Sequence, residues 1–324
     1  MFGDFVWTQA QYGKKMRWTA EQFAAHPVEL FCLQELWNAR CLQEVLVEAG
    51  LSHYQSICFS DENVVKDGRD MHVAAAVHPN CEIISHEWLH AFPADMRWKS
   101  TDPRYEVALH ITHFSRPVLK LRLRMETGGT LCVFIVHLKS RLPIAPQQND
   151  TLYYGVGADH WLDIGRALAA TRRAAEAAVL RVLINGQLAQ GTDTVIVAGD
   201  FNERYPGTVL DIIKGDARFR RQGTNRSGRR ANWGLYHLLQ LADYEKNLAR
   251  PHSEYITFCG DDELFALDHL LFSSQFHPRA AGSSWRLQSF DVVSQHLGHD
   301  KPHLSDHALV KAIFSFAHLK HTHQ

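Results

Sequence analysis

Val195-Ile196-Val197-Ala198-Gly199-Asp200-Phe201-Asn202 is a run of four apolar residues that ends in a carboxylate and a carboxamide two positions apart. A short, unbroken apolar run predicts a strand buried on both faces. The same design recurs along the chain. Leu30-Phe31-Cys32-Leu33 leads into Gln34-Glu35, and Leu131-Cys132-Val133-Phe134-Ile135-Val136 leads into His137-Leu138-Lys139-Ser140. Near the C-terminus, Ser305-Asp306-His307 opens onto the apolar run 308–314. Core strands that end repeatedly in Glu, His, Asp and Asn predict one polar site at one rim of a sheet. That chemistry suits a divalent metal and a phosphate.

Composition sets the frame without naming a ligand. With 324 residues, 45% hydrophobic and 21% charged, the chain is ordinary globular material with enough length for a large core. A formal net charge of −1 supplies no global attraction to nucleic acid or to an anionic membrane, so any such attraction must be local. No apolar stretch approaches the roughly 18 residues of a membrane span, and residues 1–7 lack the pattern of a secretory signal. The six cysteines are scattered, which predicts free thiols and a reducing, cytoplasmic setting. A monomer without stable membrane insertion is expected. The histidine-rich tail 318–323 reads as a frayed terminus that can also scavenge metal.

No repeat, low-complexity linker or Pro/Gly-rich boundary divides the chain, so one domain over residues 1–324 is expected. Helices are predicted from Lys14 to Ala25, closed by His26-Pro27, and from an Asn38 cap to Glu48, stopped by Gly50. A long Ala-rich helix is predicted from Gly165 to Leu188, ended by Gly191. Strands are expected at 53–58, 72–78 and 81–88. Hairpins are expected where 117–124 meets 131–137 across Gly128-Gly129, and where Tyr255–Phe258 meets Leu264–Leu267. This mixture argues for a layered α/β sandwich over a strict βαβ array.

Taken singly, each polar exit has an ordinary structural reading. Glu35 can be a solvated glutamate, Gly199-Asp200 a turn, and Asp306-His307 a cap. Asp268-His269, inside the predicted strand 267–272, would be half-buried and in need of a partner, which a histidine from a neighbouring strand can supply. Together and in this order, Gln34-Glu35, His137-Leu138-Lys139-Ser140, Gly199-Asp200-Phe201-Asn202, Leu267-Asp268-His269 and Ser305-Asp306-His307 resemble the endonuclease/exonuclease/phosphatase, or DNase-I-like, superfamily over about residues 14–316.

The resemblance implies a four-layer sandwich of two packed mixed β-sheets flanked by helices. It implies a phosphoesterase that hydrolyses a phosphodiester with activated water and Mg²⁺, for which Mn²⁺ can substitute. On this basis Glu35 is the metal-binding glutamate and Asp306 a second acidic residue near the metal. Asp200 orients or deprotonates the water, and Asn202 helps to position it and the phosphate. His307 stabilises the transition state with Asp268 as its orienting partner, and His137 is a further phosphate-contacting histidine. Lys139 is expected to bind the substrate anion.

One departure stands out. Members of the superfamily begin with a strand that ends in a metal-associated Asn, whereas this chain has no Asn before Asn38. The N-terminal strand is therefore expected to be missing, as from a reading frame that starts late. A catalytically weak binding protein on the same fold is the competing expectation. A phosphomonoesterase or lipid phosphodiesterase is a third.

For the substrate, the basic stretch holding Arg218, Arg220, Arg221, Arg226, Arg229 and Arg230 can track a DNA or RNA backbone or form a solvated loop. Tyr153, Tyr154 and Trp161 can wall the site. Leu36-Trp37 after Gln34-Glu35 departs from the Thr-Lys usual in abasic-site endonucleases and disfavours that subfamily.

Overall fold

Apolar residues on both faces of the predicted strands require a sheet covered on both sides, and the layering follows from that requirement. The computed structural model of the chain describes residues 8–59, 71–94, 96, 98–99, 104, 108–127, 129–145, 160–215, 234–245, 247–260, 263–280, 282–299, 301 and 303–316. In chain order the first elements are α1 (Gln9–Ala25), β1 (Leu30–Leu36), α2 (Ala39–Glu48), β2 (Gln55–Cys58), β3 (His72–Val77), β4 (Cys81–Ala91), β5 (Trp98–Lys99), β6 (Ala108–Leu109), β7 (His113–Met125) and β8 (Thr130–His137). Then come α3 (Trp161–Gln190), β9 (Thr194–Asp200), α4 (Thr208–Lys214), β10 (Tyr236–His237), α5 (Leu238–Ala242), β11 (Phe258–Gly260), β12 (Glu263–Phe265), β13 (Asp268–Phe272), β14 (Trp285–Val293) and β15 (Leu309–Phe316).

One sheet has six strands in the order β10-β13-β9-β8-β7-β4, in which β8 and β9 run parallel and the other pairs antiparallel. Opposite it lie β1-β3-β2 and the pair β14-β15, antiparallel throughout. Only the six-stranded sheet is therefore mixed.

Alternation along single strands assigns the layers. From β8, Leu131, Val133 and Ile135 enter the cluster between the sheets, while Cys132, Phe134 and Val136 face Ala177, Leu180 and Ile184 of α3 and Ile213 of α4. From β3, Val73, Ala75 and Val77 join the central cluster, whereas Ala74 and Ala76 meet Phe23 of α1 and Leu42 and Leu46 of α2. Three clusters fill three interfaces, which is the four-layer sandwich. Each fully buried Val, Leu or Ile contributes about 1.5–3 kcal/mol.

Several boundaries differ from expectation for local reasons. α1 starts at Gln9 because Thr8 and Gln11 form a reciprocal capping box. α3 starts at Trp161, and Gly165 lies inside it: a Cβ there would stand 2.6 Å from the Ile144 carbonyl oxygen. The hairpin expected from Tyr255 narrows to β11 and β12. Thr257 is withdrawn into the core, where its Oγ1 accepts the amides of Leu267 and Asp268, each at 2.9 Å.

Among the described residues no strand precedes β1. A cavity of about 2270 Å³ separates its outer edge from that of β15, lined by Leu30, Leu33, Val133, Ile196, Val310 and Phe314 among others. The six described-region cysteines are free, and among the described residues no helix is long and apolar enough to cross a membrane.

Candidate active site

Register builds the centre of the site. β8 pairs with β9 so that His137 lies beside Asp200, and β13 pairs with β9 so that Asp268 lies on its other side. Three strand ends thus carry a row of His137, Asp200 and Asp268 at one rim. The approach of β8 to β9 demands a glycine one position earlier. Gly199 has φ 141°, and an added Cβ would strike the Val136 carbonyl oxygen. Gly199→Ala is expected to cost about 1–3 kcal/mol through strain and a displaced pair of strands, read as a lower midpoint in urea unfolding. An unchanged midpoint would show that the two strands separate freely.

Asp200 is buried and each of its oxygens has a partner. The Asn202 amide donates to Oδ1 at 2.7 Å, and the Asn202 Nδ2 donates to Oδ2 at 3.0 Å. His137 Nε2 stands 3.3 Å from Oδ2. Burial opposes the charge on Asp200, but the His137 hydrogen bond, the His137 and His307 charges and the Asn202 amide outweigh it, so its carboxyl is held below the ordinary range. His137 is itself buried and reaches the site through Asp200.

His307 enters from the other half of the sandwich. Its Nδ1 donates to Asp268 Oδ2 at 2.8 Å, and its main chain is fixed by Ser305 Oγ at 3.1 Å and His296 Nε2 at 2.9 Å. Burial works against the imidazolium, but the charge and hydrogen bond of Asp268, followed by Asp200 and Asp306, push the His307 pKa up to about 10. Burial also raises Asp268, the negative charge of Asp200 adding to that rise against the pull of His307. The direction for His307 is decisive: the pair holds its proton on the imidazole at neutral pH.

Glu35 reaches the rim through a break in pairing. The β1–β3 register shifts between Leu33 and Leu36, and Glu35 takes φ 59° and is exposed. Asn202 has φ 50°. Among the described residues these two are the non-glycine positions with positive φ, and both belong to the candidate site. Asp306 is exposed one residue before His307. Lys139 turns its Nζ to the Ser140 and Leu142 carbonyl oxygens, each at 3.1 Å, and so ties down its own loop. Arg218, Arg220, Arg221, Arg226, Arg229 and Arg230 lie outside the described residues, as do Tyr153, Tyr154 and the histidine-rich tail. Trp161 opens α3.

Three supporting groups escaped the sequence reading, and a fourth, His269, was named in it without a role. Lys15 of α1 donates to the Leu304 carbonyl oxygen at 3.1 Å; burial lowers its pKa, while the charges of Asp306 and Glu35 work the other way. Arg116 of β7 donates to the Leu138 carbonyl oxygen at 3.3 Å. Glu176 of α3, 0% exposed, accepts the amides of Ser115 and Lys139, each at 2.8 Å. His269 Nε2 donates to the Glu203 carbonyl oxygen at 2.8 Å, and its Nδ1 meets His237 Nε2 at 3.0 Å. Burial lowers the His269 pKa to about 4, so it stays neutral and pins the loop carrying Asn202. Of the first three, only Glu176, an acid in the otherwise apolar stretch of Ala174, Ala175, Ala177 and Ala178, offered a signal in the sequence.

The donor set fits a hard cation held in an open manner. Glu35 and Asp306 both act electrostatically on Lys15, and among the described residues no group of three or more His, Cys, Asp or Glu side chains converges as a closed cage. Mg²⁺ takes one or two carboxylates and completes its shell with water and substrate phosphate.

Known structures share this architecture. The fold is the DNase-I-like fold of endonuclease/exonuclease/phosphatase proteins. The chain superposes on the human Nocturnin catalytic domain with bound sulfate anion at a TM-score of 0.54 and 17% identity, covering 97% of this chain and 89% of that one. For a humanized D. rerio TDP2 the values are 0.56 and 14%, covering 95% and 94%. For an endonuclease/exonuclease/phosphatase family protein from Bacteroides thetaiotaomicron they are 0.53 and 15%, covering 94% and 90%. No protein-family model matches the sequence, and no curated protein matches it.

Proposed function

We propose that the chain is a divalent-metal-dependent phosphoesterase that cleaves a phosphodiester with an activated water, acting on nucleic acid. The observation that carries this reading is the row His137–Asp200–Asp268 with His307 closing over it. Asp200, held ionised and with its lone pairs directed by His137 and Asn202, is suited to orient the attacking water more than to take its proton. His307, protonated and fixed by Asp268, donates to a nonbridging oxygen as charge builds there. Glu35 and Asp306 are the carboxylates for the metal, which when bound supplies charge neutralisation at the phosphate. Lys139 fixes the loop that flanks the anion, and Arg220 and Arg221 are assigned to the polynucleotide backbone.

The test is a panel of DNA, RNA, a generic aryl phosphodiester and inositol phosphates, each with Mg²⁺, Mn²⁺ or EDTA. Metal-dependent cleavage of DNA or RNA supports the reading. Cleavage of inositol phosphates alone reassigns the substrate, and hydrolysis of nothing on the panel sinks the reading in favour of a binding role. Glu35→Gln is expected to raise the Mg²⁺ concentration for half-maximal rate about tenfold, with a smaller change in KM, because one carboxylate of a hard-cation site is lost and the phosphate donors remain. An unchanged metal titration removes Glu35 from the metal site.

A further inference from the structure

We propose that Lys15 is a positioning residue of the metal site: its ammonium balances the charges of Glu35 and Asp306 and thereby weakens their affinity for a divalent cation. This rests on the phosphoesterase reading above, which assigns those two carboxylates to the metal. The carboxylates come from distant parts of the chain. Glu35 leaves β1 at the break in pairing, and Asp306 lies just before β15. Both are exposed, both line the large cavity, and like charges that face one cavity repel each other.

Lys15 lines the same cavity from α1. Its Nζ donates to the Leu304 carbonyl oxygen at 3.1 Å, two residues before Asp306. The same Nζ lies 5.3 Å from the centre of the Trp18 ring, and Trp18 meets His296 edge-on at 4.9 Å. His296 Nε2 in turn donates to the His307 carbonyl oxygen at 2.9 Å. Helix α1 is thus fastened on both sides of Asp306, and the ammonium cannot swing into solvent without giving up its Leu304 and Trp18 contacts.

Among the described residues no carboxylate forms an ion pair with Lys15. Burial works against its charge, and the negative charges of Asp306 and Glu35 support it. A half-buried cation with one hydrogen bond is costly unless negative charge lies near, so lysine and carboxylates stabilise one another through space. A divalent cation on the carboxylates meets this fixed positive charge in the same field. By linkage, each cation then weakens the hold of the other. Lys14, the preceding residue, is exposed and supplies a control. A role as a mere tether for the Asp306 loop predicts the opposite sign, because loss of the tether would loosen a ligand and lower metal affinity.

The experiment compares the full chain with Lys15→Met, Lys15→Arg and Lys14→Met. Bound Mn²⁺ is counted by electron paramagnetic resonance, with no substrate present. Lys15→Met is expected to tighten the Mn²⁺ Kd about tenfold, the effect of one unit charge several ångström away at an effective dielectric constant of about 20. Lys15→Arg, which keeps the charge, should bind Mn²⁺ as wild type does. Lys14→Met should also leave the Kd unchanged, since an exposed charge is screened. A second measurement needs no metal: urea midpoints at low salt for Lys15→Met, Glu35→Gln and the double variant. Lys15→Met should lower the midpoint, and adding Glu35→Gln should recover part of that loss, because the carboxylate left unbalanced is removed.

An unchanged or weaker Mn²⁺ affinity in Lys15→Met overturns the proposal and leaves Lys15 as a tether. Equal tightening in Lys14→Met overturns it too, since the effect is then one of net charge. If Lys15→Met fails to fold, Lys15→Gln decides by the same Mn²⁺ criterion. If no form binds Mn²⁺ but the midpoints of Lys15 and Glu35 variants are non-additive, the metal assignment and the phosphoesterase reading fall while the charge contact stands. Additive midpoints with no Mn²⁺ bound remove both.

Discussion

Asp200→Ala is expected to lower the hydrolysis rate by about 10²–10⁴-fold, the range for loss of a positioned group that handles the attacking water. The carboxylate collects the Asn202 amide, the Asn202 side chain and His137, so its loss disturbs both of these neighbours at once. Its removal also leaves buried donors unpaired, at about 1–3 kcal/mol for each group left without water. The variant must therefore be compared with wild type at a temperature where circular dichroism shows both folded. His307→Ala is expected to fall in the same range, since it deletes the imidazolium. Turnover within tenfold of wild type for Asp200→Ala, in metal-replete buffer, would show that water is activated elsewhere.

Asp268→Asn tests the other half of the site through pH. In wild type the His307 pKa lies at about 10, so the imidazolium persists across the neutral range and the alkaline limb of the rate profile should fall near that value. Removing the Asp268 charge leaves burial as the chief influence, and His307 should then titrate near or below the ordinary imidazole value of about 6.5. At pH 8.5 about one molecule in a hundred or fewer would hold the proton, an expected loss of about 10²-fold in kcat that shrinks as pH is lowered.

Stability has the same sign. A folded-state pKa above the unfolded value stabilises the protein fully below about pH 6.5, and that contribution disappears as pH rises through about 10. Asp268→Asn should erase this dependence. The rate profile, together with an NMR titration of the His307 ring, provides the check. An alkaline limb that stays in place in Asp268→Asn would mean that another group sets it.

The sequence by itself determined the buried strands and the polar exits. Val195–Ala198 and Leu131–Val136 are unbroken apolar runs because both faces are covered, and this is visible without coordinates. Asp200, Asn202, Asp268 and His307 were legible as candidates because a carboxylate, carboxamide or imidazole directly before, after or within such a run conflicts with its surroundings unless it has a partner. Gly50 and Gly191 marked helix ends correctly, with φ 72° and 68°.

The resemblance already paired His307 with Asp268, and the two meet across 39 positions of sequence. That His137 meets Asp200, through the parallel β8–β9 register, was decided by tertiary structure alone. Arg116, Lys15 and Glu176 resembled surface charges on a strand and two helices. Their roles arise only when α1 and α3 stack on opposite outer faces of the sandwich and turn those side chains inward. Periodicity records which face of an element is buried, but it carries no information about which element covers that face. The register between strands and the packing of layers therefore had to be seen before charge neighbours could be known.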